Sequence, residues 1–267
     1  MPQAFDTIAQ QYDVSFTNSL IGTAQRKIVW NHLEKSLTQN KKLKVLELNC
    51  GTGEDALWFA KHGHTVLATD VSEKMLAITQ RKIEDARMEF QVQTHKLDIT
   101  QIENFDGKMK FDLIFSNFGG INCMSTENLI KVPFQLKNLL NRDGKLIMVV
   151  MPSFCLWEMV YFLTKLKFGY AFRRLSKSGT IANLNGTELR TYYYSPKKLQ
   201  RVFNNFFTAV AMQPVGFFIP PSYLEKYFNK NHKLFNWLIK MENLIHNRKL
   251  LSGYSDHYLI DFTLKQK

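Results

Sequence analysis

Cysteine is scarce. Cys50, Cys123 and Cys155 are the only three in 267 residues, and they lack metal-ligand spacing. That excludes a disulfide framework and a thiolate metal site, and it fits a chain kept in a reducing cytoplasm. No apolar run reaches the about 18 residues that a transmembrane helix needs, so no spanning segment is expected. The opening residues, MPQAFDTIAQQYD, have neither a basic start nor an apolar core, so no secretory signal is expected. Acid is short in one region only. Residues 1–150 hold 18 Lys/Arg and 17 Asp/Glu, whereas residues 151–267 hold 17 and 6. The net charge of +12 therefore sits almost wholly in the later part. If that part carries the substrate site, its partner is acidic or bears an acidic group. An apolar content of 45% with 22% charged residues is globular composition. The length suits one large domain with insertions.

What is present is organised around Val45 to Gly53, VLELNCGTG. Val45, Leu46 and Leu48 read as a buried strand, and Asn49-Cys50-Gly51-Thr52-Gly53 as a glycine-rich turn. A helix with Ala56, Leu57, Phe59 and Ala60 on one face follows, then a second apolar strand ending in Asp70. Strand, glycine turn, helix, strand and terminal acid form the first half of a nucleotide-binding α/β unit. The glycines let backbone approach a ligand without a Cβ in the way, and the free N–H groups at the helix start favour an anionic group. Asp70 stands where a carboxylate can accept from two ribose hydroxyls. A dinucleotide site would show GxGxxG; this turn lacks that third spacing.

Glu47-Leu-Asn-Cys-Gly-Thr-Gly53 resembles the ExGxGxG first motif of class I S-adenosylmethionine-dependent methyltransferases, with Asn49 in place of the first glycine. Asn tolerates the left-handed backbone that such a turn needs. GHTVLATDVSEKML, residues 63–76, is similar to the second motif. FDTIAQQYD resembles the lid segment FDxxAxxYD of small-molecule members. The resemblance covers about residues 1–151 and implies S-adenosylmethionine as cofactor, with S-adenosylhomocysteine as product. It implies that Tyr12 touches the cofactor and Arg26 meets its methionine carboxylate. It places Glu47, Asn49, Cys50, Gly51 and Gly53 at the turn, Asp70 on the ribose, Val71 and Met75 against adenine, and Asp98 with Ile99 at the adenine amino group. A carboxylate suits that amine because it only accepts and the amine only donates.

Phe111–Ser116, FDLIFS, reads as a mainly apolar central strand. Its carboxyl end borders the ligand crevice of a doubly wound sheet, which puts Ser116, Asn117 and Phe118 near the transferable methyl. No prolines follow Asn117, unlike the Asn/Asp-Pro-Pro-aromatic motif of base and glutamine amino methyltransferases. The expected fold is a doubly wound, Rossmann-like α/β sheet of seven strands, the last antiparallel, with helical and hairpin cap insertions. The expected segments are a helical lid (1–40), the α/β core (41–151), a cap insertion (152–194), a core helix and sixth strand (195–219), a helical cap insertion (220–250) and a closing strand (251–267). Within these, Met88–His95 reads as the third strand, Cys155–Phe168 as an amphipathic helix, and Thr180–Tyr194 as a hairpin with its turn at Asn185-Gly186.

Methyl transfer from a sulfonium is an in-line displacement that needs alignment and exclusion of water, and no metal. A hydroxyl or ammonium acceptor must also lose a proton. His257, Tyr192 and its neighbours to Tyr194, and Asp256 are candidate bases; His257 and Tyr192 are taken as the catalytic pair. The acceptor is expected to be a small or medium-sized, partly apolar, anionic metabolite, methylated on O, N or C. An RNA acceptor is the second reading, although no separate RNA-binding module is present. A cofactor-binding scaffold without catalysis is the third. Monomer and homodimer are both compatible with the sequence.

Overall fold

The structure, a computed structural model, describes residues 2–37, 41–105, 108–184 and 186–266. The chain opens with α1 (Pro2–Tyr12), a π-turn (Asp13–Thr17) and α2 (Leu20–Ser36), which Ser19 caps through its hydroxyl. The core alternates strand and helix: β1 (Lys44–Leu48), α3 (Glu54–Lys61), β2 (Thr65–Asp70), α4 (Glu73–Asp85), β3 (Val92–Lys96), β4 (Phe111–Ser116), α5 (Thr126–Leu139) and β5 (Leu140–Val150). Ser72 caps α4, its hydroxyl accepting from Met75 N–H.

After β5 come α6 (Leu156–Thr164), α7 (Phe168–Ala171) and a hairpin, β6 (Thr180–Leu184) with β7 (Thr187–Thr191). Next are α8 (Pro196–Phe203), β8 (Phe207–Val215), α9 (Glu225–Phe228), α10 (His232–Leu244) and β9 (His257–Leu264). The strand order is β3-β2-β1-β4-β5-β9-β8. The first five strands run parallel, and β9 is antiparallel to both β5 and β8. This is the expected seven-stranded doubly wound sheet, with the strand that is last in sequence running antiparallel. Pro214 sits in β8, an edge strand, where its missing N–H costs no ladder bond.

One apolar cluster, including Ile21, Val45, Phe59, Phe115 and Leu259, fills one face of the sheet; another, including Leu46, Ile114, Leu136, Phe203 and Phe262, fills the other. The alternation Val45/Leu46 and Ile114/Phe115 across these clusters is that of central strands buried on both faces.

Two local expectations shift, and a third, the hairpin turn, stays in place. The third strand begins at Val92, four residues later than Met88, because Arg87 takes φ 55 and Met88 N–H bonds back to Ile83 to close α4. The helix expected over Cys155–Phe168 stops at Thr164, where Leu166 at φ 56 reverses the chain before α7. The β6–β7 hairpin pairs Leu184 with Thr187, and Gly186 takes φ 90; Asn185 lies outside the described residues. Among the described residues no helix is long and apolar enough to cross a membrane.

Candidate active site

One cavity of ≈ 670 Å³ lies at the carboxyl ends of β1, β2 and β4 and runs under α1, the hairpin and the α6–α7 segment. That volume is in the range of small-ligand sites, about 300–1,000 Å³. The β1 turn forms one end. Asn49 and Gly51 adopt φ 58 and 55, so Asn here accepts the left-handed backbone otherwise given to glycine. A Cβ on Gly51 would meet only the Tyr12 ring, at 3.8 Å, which leaves the backbone open toward the cavity. Gly51 N–H donates to Asp70 Oδ2 and Ser72 N–H to Asp70 Oδ1, each at 2.9 Å. Burial pushes the Asp70 carboxyl up to about 6, against the pull of these N–H groups. Asp98 caps the 3-10 turn after β3 by accepting from Thr100 N–H and its hydroxyl, both on Oδ1.

The amino-terminal lid is tied down by its two acids. Asp6 Oδ1 accepts from the Ser72 hydroxyl (2.5 Å), and Asp13 accepts from Thr52 Oγ1 (2.6 Å) and pairs with Lys82 Nζ (2.7 Å). Between these latches Tyr12 faces the cavity, its phenol pushed up to about 12 by burial. A chain of rings continues inward: Tyr12 to Phe16 (5.7 Å), Phe16 to Phe118 (5.2 Å) and Phe118 to His257 (5.4 Å). Phe118 takes φ 41, an uncommon backbone for a bulky residue that is characteristic of functional sites.

Arg26 projects from α2 over the Phe16 and Phe118 rings. Its Nε lies 3.4 Å from Asp55 Oδ1 without forming a hydrogen bond, and Nη1 also has no hydrogen-bond partner. Asp55 is instead committed to Trp30 Nε1 (2.7 Å) and Asn117 Nδ2 (2.9 Å). A buried guanidinium with unsatisfied donors on a cavity wall fits a ligand carboxylate. With Asp70, Asp98 and the open turn at Gly51, the residues present fit S-adenosylmethionine.

At the opposite end, the cap and β9 meet in a buried ionic cluster. Glu158 accepts from Arg173 Nε (2.5 Å) and from Arg174 Nε and Nη2 (3.1 and 3.0 Å). Arg174 also binds Asp256 Oδ1 (2.8 Å) and the Asp256 carbonyl (2.9 Å), and Gln25 donates to Asp256 Oδ2 (3.2 Å). His257 Nδ1 approaches Asp256 Oδ2 at 3.2 Å, an electrostatic contact without hydrogen-bond geometry. Burial alone would raise the Asp256 carboxyl. The facing His257 and Arg174 outweigh it and hold that carboxyl below the usual range.

Of the residues singled out from sequence, Tyr12, Arg26, Asn49, Cys50, Gly51, Asp70, Val71, Met75, Asp98, Ile99, Asn117, Phe118, Tyr193, Asp256 and His257 line this one cavity. Five fall outside its lining. Tyr194 is buried in the core, its hydroxyl donating to the Met124 carbonyl. Glu47 is buried in β1 beneath the turn, its carboxyl raised well above the ordinary range by burial and by Asp55. Gly53 starts α3 at φ 79, where a Cβ would meet Thr79 Cγ2 at 2.4 Å, so it serves helix packing. Ser116 is fully buried within β4. Tyr192 has the wrong strand parity. Leu189, Thr191 and Tyr193 face the cavity, while Tyr192 packs on the core cluster behind it.

Sequence reading missed Phe16, Asp55, Glu158, Arg173 and Arg174. Asp55 carried a faint signal as an acid in the first turn of the helix after the glycines. The others carried none. Of the later insertion only Pro221, Ser222 and Tyr223 reach the cavity. Phe235 and Leu238 of α10 pack into the sheet's core cluster instead, and Glu242 accepts four N–H groups from residues 216–219.

Comparison with known proteins agrees with this geometry. Residues 45–144 match a family model described as a methyltransferase domain. A candidate methyltransferase of Geobacillus sp. (strain WCH70) is 30% identical over 144 residues, which are 54% of this chain and 56% of that protein. The match thus spans little more than half of the relative's length. The crystal structure of a candidate S-adenosylmethionine-dependent methyltransferase from Listeria monocytogenes superposes with a TM-score of 0.62 at 17% identity, covering 90% of this chain and 99% of that one. The glycopeptide N-methyltransferase MtfA, complexed with S-adenosylhomocysteine, gives 0.56 at 14%, covering 90% and 89%. The domain at residues 45–144 belongs to the class I S-adenosylmethionine-dependent methyltransferase family, and the fold around it is shared along most of the chain.

Proposed function

We propose that this chain transfers the methyl group of S-adenosylmethionine to a small or medium-sized acceptor that is partly apolar and carries an anionic group. The observation that carries the reading is the single cavity joining the Gly51 turn and Asp70 at one end to Arg173, Tyr193 and His257 at the other. Cofactor and acceptor can then share one enclosed space, as in-line displacement requires.

When bound, S-adenosylmethionine supplies an electrophilic methyl group on a sulfonium. Asp70 accepts from the ribose hydroxyls, Asp98 accepts from the adenine amine, and Val71, Met75 and Ile99 pack the ring. Arg26 neutralises the methionine carboxylate. Tyr12, Phe16 and Phe118 exclude water from the reacting centre. His257 takes the acceptor's proton, and the Asp256 carboxylate beside it stabilises the imidazolium that forms. Arg173 lines the acceptor end; its described hydrogen bond uses Nε alone, and a five-donor guanidinium has capacity for an anion. The Cys50 and Cys123 thiols are both raised by burial, Cys123 to about 12, so neither stands ready as a thiolate.

An RNA acceptor is less well supported, because the acceptor end lies beneath the cap and its buried Glu158, Arg174 and Asp256 are paired with one another.

Two measurements test the reading. Calorimetric titration should show binding of S-adenosylmethionine and S-adenosylhomocysteine, with affinity falling roughly 10- to 100-fold in Asp70→Ala, as for loss of hydrogen bonds to a charged group. Transfer from methyl-labelled cofactor should then be screened over acidic aromatic and lipidic acceptors. For an acceptor that is used, His257→Gln should lower kcat roughly 10²-fold or more with cofactor affinity unchanged. Tight cofactor binding without turnover on any acceptor, RNA included, would point instead to a scaffold.

A further inference from the structure

Charges in residues 151–267 are sorted by depth. Of the six acids, Glu158, Glu242, Asp256 and Asp261 are buried, and Glu225 accepts from Leu20 and Ile21 N–H at 2.7 and 3.0 Å. Only Glu188 is exposed. The lysines stay outside: Lys165, Lys167, Lys226, Lys230 and Lys233 are all exposed. The outer face of the cap is therefore cationic with almost no acid to offset it.

The same face carries apolar side chains in water. The turn between α6 and α7 reads Thr-Lys-Leu-Lys-Phe, with Leu166 77% and Phe168 60% exposed between the two lysines. The left-handed backbone at Leu166 forms this tip. The patch extends through ring contacts rather than isolated residues. Phe162 meets Tyr170 at 5.4 Å and Tyr223 at 6.2 Å, and Tyr161 meets Tyr227 at 6.3 Å. Lys167 lies over the Tyr170 ring and Lys226 over Tyr227. Tyr223 and Arg173, the latter stacked on Phe162, also line the active-site cavity.

We propose that this face, with the Leu166–Phe168 tip at its edge, docks the protein on an anionic lipid bilayer and holds the adjoining cavity at the membrane surface. Aliphatic and aromatic side chains interleaved with lysines are what an interface of acyl chains and anionic headgroups accommodates. A nucleic acid would use the cations and rings but would leave Leu166 without apolar contact. The inference concerns the surface and holds whether or not methyl transfer occurs at the site beneath it.

Flotation of the full-length chain with phosphatidylglycerol-containing vesicles and with pure phosphatidylcholine vesicles tests it. Binding should require the anionic lipid and weaken with salt. Leu166→Ser with Phe168→Ser should reduce partitioning at least about tenfold, and Lys165→Gln with Lys167→Gln roughly thirty-fold. Phe90→Ser, at a 97% exposed residue preceding the opposite edge strand β3, should change nothing. All three variants alter exposed positions, and unchanged cofactor titration would show each is folded. Absence of vesicle binding at low salt overturns the proposal. So does equal uptake by neutral vesicles, or uptake indifferent to the tip substitutions. Retention on RNA in place of vesicles, or self-association abolished by the tip substitutions without vesicle binding, would assign the face to another partner and also overturn it.

Discussion

The two ends of the cavity handle charge in opposite ways. At the cofactor end, polar capacity is left over: Arg26 Nε and Nη1 and Asn49 Oδ1 are buried without hydrogen-bond partners. Asp70 is met by backbone N–H groups, those of Gly51 and Ser72 at 2.9 Å among them, and by no cation among the described residues, and burial raises it to about 6. At the acceptor end, charge is consumed internally. Arg174 spends its donors on Glu158 and Asp256, and Asp256 is held below the ordinary carboxylate range. Unspent polar groups in a buried wall cost stability until a ligand completes them. A closed ionic network instead fixes the shape of its surroundings. On the proposed function, the cofactor end would be completed by a ligand of fixed chemistry, and the acceptor end would present a rigid frame with His257 and Arg173 at its face.

The largest break in this contrast should come from Glu158→Ala. It leaves the guanidinium groups of Arg173 and Arg174 without their shared carboxylate, and Arg174 is buried. Removal of one partner from a buried pair costs about 3–5 kcal/mol, to be read by chemical denaturation. Cofactor affinity in the folded fraction should stay close to that of the native chain, because no Glu158 contact reaches the β1 turn. A stability loss within about 1 kcal/mol would show that the network is solvated and that the frame is not rigid.

This asymmetry also explains what could be read from sequence. The turn, Asp70 and Asp98 lie within one stretch of the chain, and each motif is short because backbone geometry dictates it. The apolar runs of β1 and β4 marked them as buried strands, and β9 falls within the closing strand expected at 251–267. The acceptor end joins Glu158 with Arg174 and then with Asp256, 82 residues further on; such partners leave no local spacing. Tyr192 shows the same limit at one-residue scale. Its aromatic run fixed the neighbourhood, but only the parity of the strand decides that Tyr193 faces the cavity. The second insertion looked like a cap by composition, and the packing of Phe235 and Leu238 into the core could not be distinguished from it by pattern alone.

A finer test uses pH. The folded Asp70 carboxyl titrates near 6, above the about 3.9 of an unfolded chain. In the free protein this stabilising contribution is complete below about 4 and is lost as pH rises through 6, a difference of about 3 kcal/mol. The cofactor should act in the opposite sense, because ribose hydroxyls donate to the ionised form. Affinity should hold above pH 6 and weaken toward tenfold per unit below it. Asp70→Asn should flatten both slopes relative to the native chain. A native affinity that is level from pH 7 to 5 would remove Asp70 from the ribose.

The smallest expected effect sharpens the comparison at a single atom. Asn49 is where the glycine motif is broken, and it holds φ 58 with an unpartnered Oδ1. Its side chain occupies the space against Gly120, where a Cβ would meet Asn49 Oδ1 at 2.4 Å. Asn49→Gly relieves the backbone cost of a left-handed residue but loses that packing and adds freedom to the unfolded chain. The opposing terms should leave stability within about 1 kcal/mol. If Asn49 only shapes the turn, cofactor affinity in Asn49→Gly should change by less than about twofold, below the weakest net hydrogen bond a ligand would make there. A loss of tenfold or more would mean that Oδ1 accepts from the cofactor. The departure from the glycine motif would then be a contact that the motif itself does not provide, and the unspent capacity of the cofactor end would include it.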